Sequence, residues 1–284
     1  MEQYFRLLIL LCKKTLSEEA TLKSMKVTIF LIIFSTLFGC ANYYARATYE
    51  FEEIDSNVSI YYDEGAEDIA NKVADSITNS IDIVSKSLYV EFKNIEEIKI
   101  YIFEDKSRYA KFSGASEKTR GSATKNEIYI SPVIRDRIDT LPLILIHELA
   151  HVHLRQYIGT WDYWVDVPGW FHEGLAVEVS KGGGAEKITD EQAYKAILAG
   201  KHFTPRESSG ILGHKYAHDY GIDPQLYYRQ AGLFIRFLKD KNPAGFESLY
   251  LALINGASSK GIWELYFGNS LAKLWNDFLE GINA

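Results

Sequence analysis

The chain has 284 residues, 47% hydrophobic and 14% aromatic, enough to bury a sizeable core and to exclude a disordered polypeptide. Its formal net charge is -7; without residues 1–39 it is -9, from 26 basic and 35 acidic residues, which gives no electrostatic reason to bind nucleic acid. The two cysteines, Cys12 and Cys40, fall in the first 40 residues, so the body holds neither a disulfide framework nor a cysteine-based metal site.

Met25-Lys26 makes a short charged start, and an apolar run follows from Val27 to Gly39-Cys40. The run is shorter than the roughly 20 residues a membrane span needs and has the length of a signal peptide. Leu37-Phe38-Gly39-Cys40 resembles the lipobox of bacterial lipoproteins, with Phe38 bulkier than the usual occupant. The resemblance implies a signal peptide over 25–39 and a lipidated Cys40 as the first residue of the mature chain. It implies export, with the protein held at the bacterial membrane surface of the cell envelope through several lipid chains. Residues 1–24 then read as an upstream extension or a long charged leader, with Met1 or Met25 as the start, and residues 40–49 as a tether. An uncleaved anchor, or a buried helix ending in Gly-Cys, is the alternative.

Residues 50–284 form the body. Val58–Tyr62 alternates as a strand, and apolar residues at Ile69, Val73, Ile77, Ile81 and Val84 predict an amphipathic helix over 64–88. Glu97–Phe103 reads as a second strand, residues 107–121 as irregular, and residues 127–131 as a third strand stopped by Pro132. Thr140 and Pro142 open a helix that runs to about Gln156. An aromatic loop over 161–167 follows, then a helix over 170–180 ended by Gly182–Gly184. Further helices are expected at 189–198, 225–240, 243–254 and 270–281. The pattern is α+β: a small mixed sheet lobe (50–138) followed by a mostly helical lobe (139–284).

The helix at 140–156 carries His147-Glu148-Leu149-Ala150-His151. Residues four apart share a helix face, so both imidazoles reach one cation, while Glu148 reaches a water beside it. This is the H-E-x-x-H arrangement of zinc hydrolases. Its apolar neighbours make the helix a buried one, and a buried helix does not carry two histidines and a glutamate without partners for them. A satisfied pair of core histidines with a salt-bridged glutamate is the bland reading. A catalytic zinc takes three protein ligands, so a third must come from a neighbouring element.

That element is the next helix, with Trp170-Phe171-His172-Glu173-Gly174-Leu175-Ala176. H-E-x-x-H followed by W-x-x-E-G-L-A resembles the gluzincins, specifically the peptidase MA-like group with a thermolysin-type catalytic core, over about residues 95–245. The resemblance implies a zincin-like fold, one Zn2+ per chain, Glu173 as the third ligand with His172 as its competitor, and Glu148 as general base. It also implies a peptide or protein substrate, paired to an edge strand that falls on Glu127, Ile128, Tyr129 and Ile130. Tyr228, in Tyr228-Arg229-Gln230-Ala231, resembles the family's tyrosine segment and is a candidate to stabilise an oxyanion, with Tyr227 and His218 as rivals and a packing role as the alternative. His153 points away from the metal face, and His214 with His218 make a poor second site because glycines flank them. Three functions stay open: a zinc peptidase, a non-catalytic envelope scaffold of the same fold, and a zinc amidase acting on a cell-wall linkage. Oligomeric state is not readable.

Overall fold

In the computed structural model, residues 49–54, 56–207 and 215–283 are described. The expected leader, Cys40, nearly all of the tether and His214 lie outside them. Among the described residues no helix is long and apolar enough to cross a membrane.

The chain runs β1 (Glu52–Ile54), β2 (Ser59–Tyr62), α1 (Glu67–Ser87), β3 (Lys99–Ile102), α2 (Lys106–Ser113), β4 (Gly121–Ala123) and β5 (Glu127–Ile130). After a 3-10 segment come α3 (Leu141–Val165), α4 (Gly169–Val179), α5 (Asp190–Leu198), α6 (Pro224–Lys241), α7 (Pro243–Ile254), α8 (Ile262–Phe267) and α9 (Leu271–Asn283). This is α+β with a small sheet and a helical majority. Among the described residues, those of Glu50–Ala110 and Ala115–Ala284 form one unit.

The sheet has the order β1-β2-β3-β5-β4. The central pairs β2–β3 and β3–β5 are parallel, and the outer pairs β1–β2 and β5–β4 are antiparallel. One face of its central strands, through Ile60, Ile100, Ile102, Ile128 and Ile130, joins the core with Ile69, Val73, Ile77 and Val84 of α1 and Leu145 and Leu149 of α3. The expected edge strand is therefore corrected. Glu127–Ile130 is bonded on both sides, to β3 and to β4, so its backbone has no free edge. The edge is β4, whose sequence Gly-Ser-Ala lacks the apolar alternation that marks a strand.

Other differences are local. Lys106–Ser113, expected to be irregular, is helical. Thr140 precedes α3 without capping it, because its hydroxyl donates to the Arg137 carbonyl at 2.7 Å. Helical hydrogen bonding resumes beyond Gly159, where φ is 81°, so the expected aromatic loop is largely a helical turn. Gly tolerates that φ without a Cβ penalty, and the chain bends there.

Candidate metal centre

The structure brings His147, His151 and Glu173 together. They form the potential metal-holding group found among the described residues, with all three ligand atoms within 4.8 Å of one another. The imidazole Nε2 atoms of His147 and His151 are 3.1 Å apart, and each is 3.5 Å from Glu173 Oε2. A tetrahedral ion at about 2.0–2.2 Å from its nitrogen and oxygen ligands separates them by about 3.3–3.5 Å, so the three atoms already stand at ligand spacing. The helix period sets the first two, on one face of α3. Glu173 arrives from α4, which packs against α3 and α6.

The electrostatics also ask for a cation. His147, Glu148 and His151 are 4%, 7% and 6% exposed. Burial works against charge on His147, yet the facing carboxylates of Glu173, Glu148 and Glu186 outweigh it and raise its pKa. Burial lowers His151 to about 4, leaving the neutral imidazole a metal needs. Burial raises the Glu173 carboxyl, but the imidazoles of His151 and His147 prevail and hold it well below the usual carboxylate range. Glu148 is pushed up to about 7 by burial, with His147 pulling the other way.

Outer contacts fix these side chains. Tyr163 Oη lies 2.9 Å from His151 Nδ1 and 2.9 Å from His172 Nδ1, so one buried phenol bridges a candidate ligand and the residue before Glu173. His172 Nδ1 is itself 3.5 Å from Glu173 Oε1. If His151 ligates through Nε2, its Nδ1–H donates to Tyr163, whose hydroxyl then donates to His172. His172 thus supports the site from outside. On the opposite side the chain turns over His147 at Gly184, where φ is 80° and a Cβ would lie 2.8 Å from the ring. That loop is fastened by Glu186, which accepts from Gly184 N–H at 2.9 Å and pairs with Arg120 at 2.9 Å.

Of the remaining candidates, Tyr228 is half-buried with its ring 6.3 Å from that of His147. Glu173 and burial raise its phenol far above the normal value, so it stays protonated and able to donate. Tyr227 is fully buried and donates to the Lys215 carbonyl at 3.2 Å. His218 is 81% exposed beside Asp219. His153 is wholly buried, bonded to Tyr250 Oη and the Val90 carbonyl, which makes it structural. Glu127, Ile128, Tyr129 and Ile130 lie in the interior strand, while Gly121 of β4 abuts Glu148: a Cβ there would sit 3.0 Å from Glu148 Oε1. Residues that sequence reasoning missed are Arg155, Tyr216 and Gly184. Tyr216 packs on Gly169 at the start of α4, and burial together with Glu173 pushes its phenol up to about 12.

No family model matches the chain. No curated protein matches it either. Among solved structures, yeast LTA4 hydrolase in complex with bestatin is similar with a TM-score of 0.48 and 12% sequence identity, covering 83% of this chain and 37% of that one. The chain therefore spans well under half the length of that protein.

Proposed function

We propose that the chain is a zinc-dependent peptidase of gluzincin type, with His147, His151 and Glu173 holding one Zn2+ and Glu148 as general base. The observation that carries this reading is the convergence of two imidazole nitrogens and a carboxylate oxygen at 3.1–3.5 Å, beside a buried glutamate one residue from the first histidine. When bound, zinc would activate water and polarise the carbonyl under attack. Glu148 takes the proton from the attacking water and passes it to the departing amine. A carboxyl poised at about 7 by burial can move a proton in both directions near neutral pH. Tyr228 donates a hydrogen bond to the oxygen on which negative charge develops. The free edge of β4 holds an extended peptide by backbone pairing, which favours a peptide over another amide. Lipidation at Cys40 would keep this activity at the cell envelope.

The test is Glu148→Gln. It keeps the three ligands, so the variant is expected to bind zinc as the wild type does and to lose about 10²–10⁴-fold in kcat on any peptide that is cut. Undiminished hydrolysis by that variant would contradict the assignment of Glu148.

A further inference from the structure

The open edge of β4 is closed at one end by an arginine. Ser131 N–H donates to the Arg120 carbonyl and Thr124 N–H to the Glu127 carbonyl, both at 2.8 Å. With Gly121 opposite Ile130 and Ala123 opposite Ile128, these bonds alternate along the pair. Arg120, Ser122 and Thr124 therefore turn their backbone groups toward β5, and Gly121 and Ala123 turn theirs outward. At Gly121 one face of the strand abuts Glu148, where a Cβ would sit 3.0 Å from Oε1. At Ala123 the outward carbonyl already accepts from Arg155 Nη1. Backbone pairing by a peptide can thus use Gly121 and the Ala123 N–H, and stops there.

Arg155 lies seven residues after Glu148 on α3, two turns along the same face and about 10 Å away. It is 6% exposed, its guanidinium carbon 4.0 Å from the Tyr163 ring centre and 5.3 Å from that of Trp164, which is 42% exposed. Its Nε is buried with no hydrogen-bond partner, and among the described residues it makes no ion pair. Holding a strand edge needs only a neutral donor, and a buried, unpaired guanidinium is a costly way to supply one. Its charge acts across a low-dielectric wall over several ångströms, so it need not be exposed to be felt along the β4 edge.

Resting on the peptidase reading above, we propose that Arg155 sets substrate specificity: it ends the pairing edge at Ala123 and draws a carboxylate of the bound peptide to that end, within two residues of the cleaved bond. The carboxylate is an Asp or Glu side chain or a free C-terminus.

The test uses zinc-loaded full-length protein carrying Glu148→Gln, so that peptides bind without being cut, and reads dissociation constants by fluorescence anisotropy. Three peptide sets are compared: acidic residues scanned through an amidated peptide, a neutral peptide with a free C-terminus, and the neutral amidated peptide. One of the two carboxylate-bearing sets is expected to bind at least about tenfold tighter than the neutral amide, and which one identifies the source. Adding Arg155→Gln, which removes the charge and keeps a polar side chain, is expected to bring that ratio close to one. Raising salt should shrink the ratio in the Arg155 protein, a measurement that holds even if the Gln variant fails to fold. Equal binding of all three sets, or a preference unchanged in Arg155→Gln, overturns the inference and leaves the peptidase reading standing. No binding of any peptide, together with no cleavage by the wild type, overturns both.

Discussion

Tyr163 shows how much of a candidate metal centre lies outside its candidate ligands. Its hydroxyl holds the outer nitrogen of His151 and, through His172, steadies the segment that carries Glu173. Tyr163→Phe keeps the ring and the Arg155 contact but removes both hydrogen bonds. Zinc affinity, read by competition with a chromophoric chelator, is expected to fall about 10–100-fold. An unchanged affinity would show that packing alone orients His151. His147, Glu148 and His151 were legible because a four-residue spacing means one helix face. Tyr163 falls in the stretch read as an aromatic loop, and a loop gives a side chain no direction. Arg155 could have been found by the same reasoning as the histidines, because seven residues from Glu148 is two full turns.

At the scale of elements, the position of Glu173 depends on how closely α4 approaches α6. A Cβ at Gly174 would lie 2.6 Å from the Ala231 carbonyl oxygen, and one at Gly232 would lie 2.6 Å from Val177 Cγ1. Two glycines thus bring the backbones together on the far side of the ligand helix. Gly174→Ala must push backbone rather than a side-chain tip, so it is expected to cost about 1–3 kcal/mol in urea unfolding and to lower zinc affinity by displacing Glu173. Stability at the wild-type level would mean that the crossing can relax. The E-G-L-A segment was readable as the ligand helix, but the reason for its glycine was not, since the partner lies 57 residues further along the chain. The strand order was hidden for a related reason. The run Glu127–Ile130 has the apolar content of a strand, and nothing local says that Gly121–Ala123 will pair on its outer side.

Across the whole unit, polar ties join the sheet end to the metal helix. Gln156 accepts from the N–H groups of Lys93 and Asn94 and donates to Asn94 and Asn126, and Arg155 binds Ala123. These contacts tie α3 to β4 and to the turn before β5, which sets Gly121 beside Glu148. The small sheet followed by helices was legible because the strand-like runs end at Pro132 and only helical segments follow. The joining of the two was not legible, because it rests on single side chains such as Gln156 that carry no pattern.

The central claim is that three side chains from two helices hold one zinc ion. The direct test is the metal content of the purified protein, by elemental mass spectrometry, for the wild type and for His147→Ala, His151→Ala and Glu173→Ala. About one zinc per chain in the wild type, lost in each variant, is the predicted result. A wild type that stays empty after zinc reloading, or variants that keep a full equivalent, would contradict it.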